Sequence, residues 1–102
     1  MSKIRKIFIK PKAYNDLEGI YSYSIKEFGI KKAKEYVMNI DKAFKELSNN
    51  PNLGKKSGII AKNIRIYPMT SHLIFYRESK SDYSIIIVRI LHKKMHHTNH
   101  IH

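Results

Sequence analysis

Between Pro11 and Leu47 the sequence carries two successive apolar stripes at helical spacing, with almost nothing separating them. Ala13, Leu17, Ile20, Tyr21, Ser24 and Phe28 recur mostly at intervals of three and four residues, and Ala33, Tyr36, Val37, Ile40, Phe44 and Leu47 repeat the pattern, the period that gathers side chains on one side of a helix. Pro11 suits the first turn of the first helix, where its missing N–H would have no partner in any case. Phe28 and Gly29 close that helix. With only Gly29 and Ile30 left as a connection, the two helices must fold back on each other as an antiparallel hairpin. Asn49, Asn50 and Pro51 end the second helix, because asparagine favours turns and proline pushes its predecessor out of the helical region.

A helical hairpin with one apolar side needs a second layer, and the rest of the chain supplies strands. Residues 4–10, "IRKIFIK", alternate apolar and basic side chains and read as a short strand with one solvated face. Three more candidates follow at 63–67, 72–78 and 83–92, with "SKSD" between the last two as a hairpin loop. Residues 55–62 show no period and read as a loop. The order β-α-α-β-β-β predicts an α+β fold with the helical hairpin packed on one face of an antiparallel sheet. The last strand is apolar at both parities: Ile86, Val88 and Ile90 share one face, and Ile85, Ile87 and Leu91 the other. Either the sheet curls to bury both faces by itself or a partner chain covers part of the second.

The length of 102 residues predicts one domain, residues 1–102, with 93–102 a basic, histidine-rich C-terminal tail. Lysine and arginine total 20 against 8 acids, a formal net charge of +12 with histidine neutral, so the expected partners are polyanions, either acidic proteins or nucleic acid. There is no cysteine to form a disulfide or a thiolate metal site. The basic start of the chain lacks the apolar core of a signal peptide, and the aliphatic run "SIIIVRIL" is too short to span a bilayer. These features predict a cytoplasmic protein that does not engage a membrane.

Within the strands, Arg65 alternates with Ile64 and Ile66, and Arg89 with Val88 and Ile90, so both are expected to leave the helix-packed face. Arg77 shares its parity with Leu73 and Phe75. Together with His92, Lys93 and Lys94, these three arginines form the predicted partner-binding patch; the plainer alternative is a solvated sheet face. Tyr14, Tyr21, Tyr36 and Phe44 are expected in the core. Lys55, Lys56 and Lys62 either contact a partner or keep a loop soluble.

The stretches "AYNDLEGIYSYSIKEFGIKKAKEYV", "FKELSNNPNLGK", "IRIYP", "HLIFYR" and "IIIVRILHKKMHH", in this order and spacing, resemble the ParE-like branch of the ParE/RelE toxin superfamily, the plasmid-stabilisation toxins. The resemblance runs from Pro11 to about His97. It implies the toxin of a type II toxin–antitoxin pair that traps DNA gyrase on cleaved DNA, not an enzyme in its own right, with gyrase, DNA within the gyrase complex, and a ParD-like antitoxin with an acidic C-terminal segment as the expected partners. In RelE-type relatives the same fold cuts mRNA on the ribosome, which takes cationic side chains at the phosphate and a proton-transfer group near the C-terminus. The resemblance places Leu73 where those relatives carry a catalytic arginine. Lys94 and His100 fall near the other two positions, so the alternative nuclease would use Lys94 and His100 with Arg89; a non-toxic antitoxin-binding relative is the third reading.

His92, in "RILH", matches a position typically histidine in ParE-like chains and reads as either an acid/base group or a hydrogen-bonding residue at a strand end. His92, His96 and His100 are four residues apart, the spacing of metal ligands on one helix face. Thr98 and Asn99 disfavour that helix and no carboxylate lies nearby, so no metal and no cofactor are expected.

Overall fold

The computed structural model describes residues 5–57 and 63–95. The chain runs β1 (Ile7–Ile9), α1 (Pro11–Phe28), α2 (Ile30–Asn49), a one-turn 3-10 helix (Pro51–Leu53), β2 (Lys55–Lys56), β3 (Arg65–Pro68), β4 (His72–Glu78) and β5 (Ile85–His92). The five strands form one sheet in the order β1-β5-β4-β3-β2. The helical hairpin packs on one face, as expected, but the sheet is mixed rather than antiparallel. β1 runs parallel to β5, pairing Ile7 with Ile85 and Ile9 with Ile87. That pairing joins the two ends of the chain and leaves no local pattern from which its direction could be read.

A single residue joins the helices. Gly29, at φ 89°, donates its N–H to Ile25 O and accepts from Ala33 N–H, ending α1 and starting α2. The positive φ suits glycine and strains any other residue. Ile30, expected in the connection, is already helical.

The segment after α2 is bolted to the sheet, where the sequence suggested only a turn and a loop. The Tyr76 hydroxyl, fully buried, donates to Pro51 O and accepts from Gly54 N–H, both at 2.7 Å. Burial raises the Tyr76 pKa, which keeps the phenol protonated for that donation. A Cβ on Gly54 would lie 2.5 Å from the Tyr76 hydroxyl and 2.9 Å from Ile66 O, so only glycine fits here. Lys55 and Lys56 then pair with Ile66 and Arg65 as a two-residue edge strand.

The core has two sides. Ala13, Ile20, Ile40, Phe44 and Leu47 of the helices meet Ile74, Tyr76, Ile85, Ile87 and Ile90 of the sheet. A second cluster on the opposite face, Ile64, Phe75, Val88 and Leu91, is at most 7% exposed although neither helix lies there. The sheet thus buries both faces of its central strands within this chain. Its register shifts between Phe75 and Tyr76: Arg89 opposes Phe75 and Ile87 opposes Tyr76, leaving Val88 as the extra residue of a bulge. The bulge reverses parity beyond it, so Ile90 faces the helices and Leu91 does not, correcting the simple alternation. Among the aromatics expected in the core, Phe44 is buried and Tyr36 and Tyr21 are half-buried, but Tyr14 is exposed.

Replacing Tyr76 with phenylalanine leaves the Gly54 N–H and the Pro51 carbonyl without their partner and should cost about 1–3 kcal/mol. Gly54→Ala forces backbone and ring apart and should destabilise at least as much. Chemical denaturation of both variants checks this, and unchanged midpoints would show that the tyrosine bolt contributes nothing.

Candidate partner-binding site

β1 ends at Ile9, so beyond Ile87 one edge of β5 has no strand beside it among the described residues. Asp16 on α1 fills the gap. One carboxylate oxygen accepts the Ile90 N–H at 2.9 Å and the Arg89 Nε–H at 2.8 Å; the other accepts from Arg89 Nη2 at 2.9 Å. The two side chains are only 16% and 13% exposed, and the fork geometry makes these strong charge-assisted bonds. Hydrogen bonding to Asp16 raises the Arg89 pKa, so the guanidinium stays charged.

This arrangement also fixes the end of β5, where His92 lies opposite His72 in register. Their rings meet edge to face at 5.2 Å. Tyr36 on α2 reaches the pair from the helix layer: its hydroxyl lies 2.7 Å from His72 Nδ1 and accepts a long bond from Ser71 N–H. Desolvation, then the neighbouring His92, lowers the His72 pKa from 6.5 to about 4, only partly opposed by Asp16. Burial raises the pKa of Tyr36. The contact therefore joins a protonated phenol to a neutral imidazole, with the imidazole tautomer setting which of the two donates. A group that titrates near 4 lacks the near-neutral pKa suited to acid–base catalysis at pH 7. His92 accepts the Lys94 N–H on its Nδ1, the hydrogen-bonding role at a strand end that was one of its two expected readings.

Between α1 and the end of β5 lies a groove of about 360 Å³ lined by Asn15, Asp16, Gly19, Ile20, Tyr23, His72, Ile90, Leu91, His92 and Met95. Its floor is apolar, and the exposed Lys93 and Lys94 stand beside it in the turn that follows β5. The predicted patch is therefore split. His92, Lys93 and Lys94 belong to this end, while Arg77 lies five residues further along β4 from His72, about 16 Å away at the rise of a strand, with Arg65 opposite Tyr76 beside it and Arg89 between the two ends, opposite Phe75. Arg65 and Arg77 line a second, polar cleft of about 920 Å³.

One expectation about faces needs correction. Arg65 does not leave the helix side: it pairs with Tyr76, and its guanidinium donates to Gly54 O at 2.7 Å. Ile64 and Ile66 bury in the opposite cluster, so alternation beside apolar residues could not tell one buried face from the other. Arg89 pairs with Phe75 on the far face, yet its side chain is held by α1 through Asp16 instead of standing free.

His100, and the His92/His96/His100 spacing beyond His92 itself, lie outside the described residues; among those described, no group of three or more metal-ligating side chains is placed to hold a metal. Nor is any helix among them long and apolar enough to cross a membrane. Sequence reasoning missed Asp16 and His72 and placed Tyr36 only in the core. Asp16 did carry a signal: with Ala13 and Ile20 it shares the buried side of α1, where an unpaired carboxylate is costly.

The model of the ParE toxin of type II toxin–antitoxin systems, parDE, matches residues 7–97. Toxin ParE1 of Mycobacterium tuberculosis is 28% identical over 90 residues, covering 88% of this chain and 91% of that protein. Toxin ParE1 of Caulobacter vibrioides is 26% identical over 90 residues with the same coverage. Among solved structures, the chromosomal ParDE system from P. aeruginosa superposes with a TM-score of 0.74 at 23% identity, covering 87% of this chain and 96% of that one. The toxin–antitoxin complex RelBE2 from Mycobacterium tuberculosis gives 0.69 at 16% identity, covering 89% and 100%. These two structural likenesses establish the α+β fold of the ParE and RelE toxins. The chain belongs to the ParE toxin family of type II toxin–antitoxin systems.

Asp16→Ala strands a largely buried guanidinium and opens the Ile90 N–H. It should cost on the order of 2 kcal/mol, below the 3–5 kcal/mol of a fully buried pair because water reaches both groups. Asp16→Asn, which keeps an acceptor for Ile90, should cost less, and equal losses from the two would assign the effect to the charge alone.

His72 sets a pH dependence. Its folded pKa of about 4 lies below the unfolded 6.5, so the unfolded chain takes up the proton first. The stability of the neutral imidazole is complete above 6.5 and is lost as pH falls toward 4. Measured against His72→Gln, the parent should lose stability across that window, and parallel curves would show that His72 does not titrate there.

Proposed function

We propose that this chain is a toxin that poisons DNA gyrase by holding it on cleaved DNA, is not itself an enzyme, acts in the cytoplasm, and is neutralised by a ParD-like antitoxin. The observation that carries the reading is the match of the ParE family model across residues 7–97. The P. aeruginosa relative is a ParDE toxin–antitoxin system by name, which supports an antitoxin partner here. The groove beside α1 supports it in chemical terms. An amphipathic acidic segment could lay apolar side chains against the exposed Tyr23 and Met95 that border the groove and set its carboxylates near Lys93 and Lys94.

The site geometry speaks against the nuclease reading. Leu73, where nuclease relatives carry arginine, packs into the far-face apolar cluster. Arg89, a candidate cation for a phosphate, is bound to Asp16, and His72 is neutral at working pH. Lys94 is exposed but has none of the described cationic side chains committed to working with it.

The test is a supercoiling assay with purified gyrase and the antitoxin-free chain, scoring linearised plasmid. Linear DNA should accumulate with dose and vanish when a ParD-like antitoxin is added. Intact plasmid at large excess of folded protein, together with message cleavage in a translating extract, would replace this reading with the nuclease; silence in both assays would leave the non-toxic antitoxin-binding relative.

A further inference from the structure

The polar cleft at the opposite end of the sheet has no part in the groove described above. Lys56, Arg65, Arg77 and Lys80 line it with the hydroxyls of Ser79 and Ser81. Its one lining carboxylate, Glu78, already faces Arg5 at 3.9 Å, and no carboxylate of the described residues makes an ion pair with any of the four cations. Arg65 is fixed in place by its bond to Gly54 O, so at least one cation is preorganised.

At the rim stands Tyr83, 67% exposed and held at φ 61°, a backbone conformation that costs a bulky residue energy and that asparagine or glycine would adopt more easily. Arg5 lies 5.7 Å from the centroid of the Tyr83 ring. An exposed, conformationally constrained aromatic at the rim of a cleft lined by several cations is a combination that binds unpaired nucleic-acid strands: phosphates on the cations, a base on the ring.

The geometry points to this cleft as a binding site for single-stranded nucleic acid, carried by the chain alone and separate from the antitoxin-facing groove. An acidic peptide fits it less well. The lining offers polar donors and one aromatic ring but no aliphatic side chain to receive the apolar side of an amphipathic segment, whereas the groove beside α1 has the exposed Tyr23 and Met95 over an apolar floor. The inference does not depend on gyrase being the target.

The test is fluorescence anisotropy with a short labelled oligothymidylate and, in parallel arms, oligodeoxyuridylate and oligouridylate; the last two differ only at the 2′ position, so a preference between them identifies the sugar the site accepts. Lys56→Glu/Lys80→Glu, both at exposed positions, should weaken binding about tenfold or more. The control Lys31→Glu/Lys34→Glu, equal in charge change and on the exposed side of α2, should weaken it far less. Tyr83→Asn, which suits the positive φ, should lose about fivefold or more for the oligothymidylate and nothing for an abasic strand of equal length. Equal losses in the two charge-reversal variants would reduce the effect to net charge and overturn the site. So would polyglutamate binding to the parent as tightly as the oligonucleotide, or Tyr83→Asn binding both strands like the parent. Circular dichroism confirms that each variant is folded, and Arg77→Gln gives a second, charge-neutralising readout of the same cleft.

Discussion

One carboxylate closes the open edge of the central strand. β5 has a strand on each side only as far as Ile87, and an unpaired backbone donor half-buried under a helix would be costly. Asp16 receives the Ile90 N–H and, with the same two oxygens, the Arg89 fork. A helix side chain thus stands in for the missing neighbour strand and anchors α1 to the sheet. The end of β5 is thereby set, and with it the contact between His92 and His72 and the groove that Ile20, Ile90 and Leu91 line.

The second constraint is that the sheet is apolar on both sides. The bulge at Val88 lets β5 present Ile87 and Ile90 to the helices while Val88 and Leu91 join Phe75 beneath. With both faces filled, little sheet surface is left for function, and the cations gather at the two ends. One end is an apolar groove with lysines beside it, suited to an amphipathic acidic segment. The other is a polar cleft with an exposed tyrosine.

Much of this was legible in the sequence. The helical period of residues 13–47 and the glycine between its two halves predicted the hairpin, and residues 72–78 form a strand with the bounds expected. What was not legible depends on distant pairing. Nothing local in "IFI" says that it will run parallel to β5, and nothing in "KK" after Gly54 says that it will pair with Arg65 and Ile66. The bulge defeated the assignment of Ile90 and Leu91 because a period of two holds only while the ladder is unbroken. At the candidate site the cations were visible in the sequence, but the groups they pair with were not. Arg89 looked free because Asp16 lies 73 residues away, and His72 looked like the start of a strand because Tyr36 and His92 reach it only in the fold.

The most direct test of the division between the two ends is an NMR titration of the isotopically labelled chain with its antitoxin. Amide perturbations should concentrate on the α1 segment from Asn15 to Tyr23 and on Ile90 to Met95, leaving Arg77 to Tyr83 unmoved. Perturbations centred on Arg77, Lys80 and Tyr83, with the groove silent, would contradict the account and assign the polar cleft to the antitoxin.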